Sequence, residues 1–153
     1  MLDAIDRRLL TLLQRDASLA LEAIGAEVGL SRNACWRRVR RLESEGYIKA
    51  RVALVDPGRV NLGLTVFIAV RTSQHSAEWT ESFRRAITTM PEIQGVYRTS
   101  GDLDYLIKAR VPDVAAYDAL YQRLIMRVSL TDVTASFVME EMKESTEVPL
   151  NYA

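Results

Sequence analysis

The chain has 153 residues, enough for one ordinary domain or two small ones, and its 48% hydrophobic and 26% charged content is that of a globular protein. No apolar run approaches the roughly 20 residues of a membrane helix, no signal peptide is visible at the N-terminus, and one cysteine with one histidine excludes an internal disulfide and a Cys/His zinc site. The net charge is zero but unevenly spread: residues 1–60 hold 11 basic and 8 acidic residues, residues 61–153 hold 9 and 12, so the first part suits phosphate and the second repels it.

In chain order, Ile5, Leu9, Leu10, Leu12 and Leu13 recur at helical spacing behind Asp3, a capping residue. A second helix is predicted from Leu19 to Val28, with Leu21, Ile24 and Val28 on one side and Gly29 ending it, where a left-handed residue is needed. Ser31 caps a third helix running to about Glu45, closed by Gly46. Two helices across a tight turn after a first helix make a helix-turn-helix. Tyr47–Asp56 reads as extended chain, and Asp56-Pro57-Gly58 as a turn.

The rhythm then changes. Leu64–Thr72 is apolar and β-branched, a strand. Trp79, Phe83, Ala86, Ile87 and Met90 define an amphipathic helix over 78–90, ended by Pro91. Ile93–Thr99 and Tyr105–Val111 are strands joined by Ser100-Gly101-Asp102-Leu103-Asp104. Val114–Val128 is a helix carrying Tyr117, Leu120, Tyr121 and Leu124, and Val133–Met142 a last strand. The order β-α-β-β-α-β is the ferredoxin-like pattern. The expected fold is therefore α+β: a winged helix-turn-helix domain at 1–50, an extended linker or hinge strand at 51–62, and a ferredoxin-like domain at 63–153.

The third helix carries the chemistry. Across residues 31–51 seven basic side chains stand against Glu43 and Glu45, a local charge of +5. At about 100° per residue, Val39 and Leu42 fall within roughly 40° of Cys35, which makes a buried stripe. Asn33, Arg37 and Arg40 cluster opposite, flanked by Trp36 and Arg41. Arginine donates in pairs to guanine and asparagine pairs with adenine in the major groove. Ser31 and Arg32 sit at the helix N-terminus, where backbone N–H groups meet a phosphate. The DNA-contacting set is thus Ser31, Arg32, Asn33, Trp36, Arg37, Arg40 and Arg41. Arg38 lies toward the core side, to snorkel or meet the DNA backbone. With only Glu43 and Glu45 nearby in sequence, most of these arginines are expected to lack an acidic partner. Trp36 packs on the neighbouring helix or touches a sugar, and Cys35 is a small core residue.

The segments Leu2–Leu10 and Val28–Glu43, with Ala53-Leu54-Val55-Asp56-Pro57, Gly101-Asp102-Leu103-Asp104-Tyr105-Leu106 and the tail Lys143–Leu150, strongly resemble the Lrp/AsnC (feast/famine) family. The Cys-x-Arg-Arg-Val-Arg-Arg-Leu helix together with the Gly-Asp-x-Asp-Tyr turn is specific, and the resemblance spans nearly the whole chain. It implies a transcriptional regulator with an N-terminal DNA-binding domain and a C-terminal domain that binds a small effector, typically an amino acid. It also implies a homodimer through the C-terminal sheets that assembles to a tetramer or octamer. Residues 75–79 and 129–140 are similar to a subgroup that includes cysteine-responsive regulators, which makes cysteine the first effector to try. One departure is Met126-Arg127-Val128-Ser129-Leu130-Thr131-Asp132-Val133, where many members carry Pro-Gly-Val; a loop near the effector region is reshaped.

The resemblance puts the effector near the Gly101–Tyr105 turn, at a subunit interface. An amino acid offers an ammonium group, for which Asp102 and Asp104 supply acceptors, and a carboxylate, for which Arg98, Ser100, Thr134 and Ser136 supply donors if the last strand lies beside the turn. The competing reading is that Gly101-Asp102 is an ordinary hairpin turn. His75 reads as the lead-in to a helix and Tyr117 with Tyr121 as core or interface. No activated nucleophile and no metal set are visible, so an enzyme is not expected, and neither is a cofactor. The expected protein is cytoplasmic, nucleoid-associated and free of membrane. A rival, effector-independent architectural DNA organiser fits less well, because bulk compaction favours strongly basic chains.

Overall fold

A computed structural model describes residues 1–153, which form two compact units: Met1–Leu54 with Met142–Ala153, and Val55–Glu141.

The first unit is built on three helices, α1 (Ala4–Arg15), α2 (Leu21–Val28) and α3 (Arg32–Ser44). α1 begins with a reciprocal capping box: Asp6 N–H donates to Asp3 Oδ1 at 2.8 Å, and Asp3 N–H donates to Asp6 Oδ2 at 3.2 Å. Leu9 and Leu10 of α1, Ile24 and Val28 of α2, and Cys35, Val39 and Leu42 of α3 converge on one core. The tight turn between α2 and α3 has two glycine requirements. Gly29 caps α2 at φ +72°. Gly25 lies so close under the turn that a Cβ there would meet the Leu30 carbonyl oxygen at 2.6 Å, while Leu30 N–H donates to the Gly25 carbonyl at 2.8 Å.

No strand follows α3 in this unit, so the helix-turn-helix has no β wing. A wing needs two paired strands, and the chain supplies only one extended run after Gly46. Ile48 N–H instead donates to the Leu42 carbonyl at 3.2 Å and the side chain folds back on the core. Residues 51–56 form no strand, and Pro57–Val60 forms a 3-10 turn capped by Asp56.

The C-terminal segment differs from expectation too. Residues 142–153 belong with α1 rather than with the sheet. Gln14 exchanges two hydrogen bonds with the backbone of Val148 (2.7 and 3.3 Å), Arg15 pairs with Glu147 at 3.2 Å, Arg7 donates to the Ala153 carbonyl at 2.7 Å, and Leu150 packs on the helical core. The last strand stops at Phe137, short of the expected Met142: Phe137 faces Val66, and Val138 N–H makes one further bond, to the Thr65 carbonyl.

The second unit is a four-stranded antiparallel sheet in the order β2-β3-β1-β4, from β1 (Leu64–Arg71), β2 (Ile93–Arg98), β3 (Tyr105–Val111) and β4 (Asp132–Phe137). It carries α4 (Ala77–Thr88) and α5 (Val114–Ile125), completing the ferredoxin-like βαββαβ order. Alternation decides the faces. Val66, Ile68 and Val70 of β1 and Tyr105, Ile107, Ala109 and Val111 of β3 point at Trp79, Phe83 and Ala86 of α4 and Leu120 and Leu124 of α5. The other face, bearing Phe67, Ala69, Leu106, Tyr97, Thr134 and Ser136, carries no helix.

Candidate nucleic-acid interface and effector turn

α3 is amphipathic in the way its spacing predicts. Cys35, Val39 and Leu42 are buried, while Asn33, Trp36, Arg37 and Arg40 are exposed on the far side. Burial pushes the Cys35 thiol pKa up, which fits an inert core residue. Ser31 caps the helix by accepting from Ala34 N–H at 3.3 Å. Trp36 does not join the core; it is 49% exposed, and the Arg40 guanidinium lies 5.8 Å from its ring centroid.

The arginines are more engaged than sequence neighbours suggest. Arg38 Nη1 pairs with Asp3 at 2.6 Å and with Asp6 at 2.8 Å, and Arg41 Nη2 pairs with Asp6 at 2.5 Å. Arg32 pairs with Glu22, and Arg40 with Glu43 at 3.4 Å. Arg37 alone among the five arginines of α3 has no ion pair. Three carboxylates from outside the segment lower its local excess from +5 to +2. Their contribution was invisible in sequence because Asp3 and Asp6 lie some thirty residues upstream. The one usable signal was the Asp3/Asp6 capping pair opposite the core-side Arg38.

These contacts set the charges. The hydrogen bond from Arg38 holds the Asp3 carboxyl down at about 2, helped by Asp6 N–H. For Asp6, burial pushes the pKa up, but Arg38, the Asp3 N–H and Arg41 outweigh it, and the net shift is downward. Asp6 therefore stays ionised although its side chain is only 1% exposed.

The effector residues are less gathered than expected. β4 pairs with β1, at the opposite edge of the sheet from β2. Arg98, opposite Tyr105, lies on the helix-side face of β2, whereas Thr134 and Ser136, opposite Ala69 and Phe67, lie on the open face of β4. Within one subunit Arg98 is therefore separated from them by two strands and by the sheet itself. Ser100, Gly101 and Asp102 are exposed on the turn. The turn does reach β1: Asp104 N–H donates to the Val70 carbonyl at 3.0 Å, and the Asp104 carboxylate accepts from Thr72 N–H at 2.8 Å. That carboxylate locks the turn. Arg71 Nε donates to the Asp102 carbonyl at 2.7 Å, with Nη1 3.8 Å from Asp132. Arg71, Thr72 and Thr131, which accepts from Ser73 N–H at 3.0 Å, shape this end of the sheet without any sequence signal beyond their place at a strand end. The reshaped loop after α5 is anchored by Trp79 Nε1, which donates to the Ser129 carbonyl at 2.9 Å.

The comparisons agree with this division. The AsnC-type helix-turn-helix domain matches residues 2–43, and the Lrp/AsnC ligand binding domain matches residues 65–148. The chain belongs to the Lrp/AsnC family. It is 48% identical to a glutamate uptake regulatory protein of Zymomonas mobilis, over 97% of this chain and 91% of that one. It is 46% identical to the DNA-binding transcriptional activator DecR of Escherichia coli, over 98% and 99%. Among solved structures, an AsnC family transcriptional regulator from Agrobacterium tumefaciens superposes with a TM-score of 0.95 at 46% identity, covering 99% of both chains. A transcriptional regulator from Neisseria meningitidis in complex with L-Met gives 0.95 at 32% identity, again over 99% of both. As a member of the Lrp/AsnC family the chain is a transcriptional regulator with a helix-turn-helix and a ligand-binding domain, not an enzyme.

Proposed function

We propose that this chain binds specific DNA sequences through α3 and that an amino acid bound in its C-terminal domain adjusts that binding. One observation carries the first half: α3 turns Asn33, Trp36, Arg37 and Arg40 outward while its opposite stripe is buried. Asn33 and Arg37 are suited to base edges, and Arg40 on Trp36, with Ser31 and Arg32 at the helix start, to phosphate and sugar. The second half draws on the relatives, whose names and ligands point to glutamate uptake and to L-Met. It also draws on the turn at Ser100–Asp104, where the exposed Ser100 and Asp102 offer a donor and an acceptor for the two ends of an amino acid. Arg98 stands at the base of this turn, and Thr134 and Ser136 join it in one site only if a second subunit brings its β4 edge there. The uncovered sheet face with Phe67, Leu106 and the 58%-exposed Tyr97 supports such a homodimer, with tetramers or octamers built from it. The setting is cytoplasmic, on the nucleoid.

The test begins with duplexes selected from a random pool by the full chain. A two-fold symmetric dimer selects near-palindromes with half-sites about one helical turn apart. Arg37→Ala should cost about 1–3 kcal/mol on the selected duplex and relax one base position. Unchanged affinity and preference would refute the reading face. Titrating the twenty amino acids, cysteine first, while following oligomer mass and duplex affinity tests the effector; no response to any of them would leave a regulator without an amino-acid input.

A further inference from the structure

We propose that Asp6 is a positioning residue for DNA recognition: a buried carboxylate that holds Arg38 and Arg41 toward α1 and leaves Arg37 and Arg40, with Arg32 at the helix start, as the cations α3 offers to DNA. The inference rests on the reading of α3 given above and adds a specificity role for α1.

The geometry is specific. Asp6 is buried in the first turn of α1, and its two oxygens are divided between two arginines of another helix, Oδ1 to Arg38 at 2.8 Å and Oδ2 to Arg41 at 2.5 Å. Arg38 and Arg41 are three residues apart on one shoulder of α3, between the buried stripe and the outward face of Asn33, Arg37 and Arg40, which Arg41 flanks. Asp3, the N-cap of α1, takes Arg38 from outside at 2.6 Å, and the reciprocal Asp3/Asp6 capping bonds make the two carboxylates one rigid unit. Five arginines on one short helix, all free, would bind any phosphate backbone. Sequence reading is measured by the ratio of specific to non-specific affinity, and cations free to meet any phosphate raise the non-specific side. A pair of buried ion pairs contributes little net stability over an apolar contact, but it fixes where its partners point. Asp6 thus withdraws two long cations from the phosphate field and sets the angle at which α3 presents the rest.

The substitution that isolates the charge is Asp6→Asn, which keeps an acceptor for Asp3 N–H, removes the charge that holds Arg41 and leaves Arg38 with Asp3 alone. Affinity is measured for the selected duplex and for a mixed-sequence duplex without the site, each across a salt series. The expected result is about 3- to 10-fold tighter binding to the mixed-sequence duplex, a salt dependence steeper by about one to two phosphate contacts, and a roughly tenfold fall in the selected-to-mixed ratio. A parallel fall in both affinities, as loss of helix–helix glue alone would produce, overturns the inference, and so does an unchanged ratio and slope. If the Asp6→Asn chain does not fold, Asp3→Asn removes only the outer contact to Arg38 and should move ratio and slope the same way by a smaller amount; no movement overturns the inference. Arg37→Ala in the same assay separates the two levels. If it leaves the ratio intact, the reading face itself is wrong; if it lowers the ratio while Asp6→Asn does not, only the role of Asp6 falls.

Discussion

Two of the places where arginine meets aspartate in this chain are built very differently. In the first unit, Asp6 is closed off from water by α1 and α3, and both its oxygens are taken by arginines. In the second, Arg71 and Asp132 sit on the rim of the sheet, each more than half exposed and 3.8 Å apart. The rim pair is worth roughly 0–1 kcal/mol, whereas breaking the buried one leaves uncompensated charge and costs several-fold more. A reading helix has to arrive at DNA already oriented, so a buried ion pair suits it. The turn at Ser100–Asp104 keeps exposed polar groups and is fixed by two backbone bonds together with side-chain bonds from Asp104, Arg71 and Thr99. Under the function proposed above, the contrast is between a rigid reader and an adjustable receptor.

The sharpest way to break that contrast is on α3 itself. Leu42 is fully buried, and Leu42→Ala removes part of the only core the helical unit has. It should cost about 2–5 kcal/mol of stability, read by denaturant unfolding. Arg37→Ala, on the exposed face of the same helix, should stay within about 0.5 kcal/mol. Similar losses from the two would mean that Arg37 is structural and that the helix has no free face.

How much of this was legible follows from the same division. The stripe Cys35/Val39/Leu42 and the face Asn33/Arg37/Arg40 come from the period of one helix, which no tertiary contact has to supply, and the structure keeps both. The fate of Arg38 and Arg41 was hidden, because their partners come from the start of α1. The turn at 100–104 was legible as a turn, and the β-α-β-β-α-β order as a sheet. Strand order, however, decides that Arg98 and Ser136 lie on opposite faces and two strands apart, and alternation within each strand carries no information about its neighbours. The tail at 142–153 was read as part of the sheet domain because sequence continuity is silent about which core a side chain such as Leu150 joins.

A second expectation concerns acid. The Asp3 pKa is lowered from 3.8 to about 2, chiefly by Arg38, and that of Asp6 is lowered too, burial being outweighed by Arg38, Asp3 N–H and Arg41. A depressed folded-state pKa stabilises the fold above the unfolded value, and the contribution disappears as pH falls through the folded value. For Asp3 the window is between about 3.8 and about 2. Thermal midpoints of the helical unit should therefore fall as pH drops from 5 to 2, and Asp3→Asn should flatten part of that fall. Parallel curves for the two proteins would show that the buried network does not sense acid as one device.

The smallest effect tests the receptor side. Arg71→Ala removes the donor to the Asp102 carbonyl and the contact with Asp132, both at the exposed rim, so global stability should change by no more than about 1 kcal/mol. The Asp104 bonds remain: its N–H to Val70 and its carboxylate to Thr72 N–H do not involve Arg71. The two ends of the turn should then respond differently. Backbone order at Asp102 and Leu103, read as NMR order parameters, should fall while the Asp104 amide keeps its exchange protection, because only the first part of the turn has lost its tether. Amino-acid binding should weaken in step with the lost order if the Asp102 end receives the ligand. Loss of order at 102 and 103 together with loss of protection at Asp104 would instead mean that Arg71 holds the whole turn. The receptor would then be as pre-set as the reader, and its difference from the Asp6 site would be one of exposure alone.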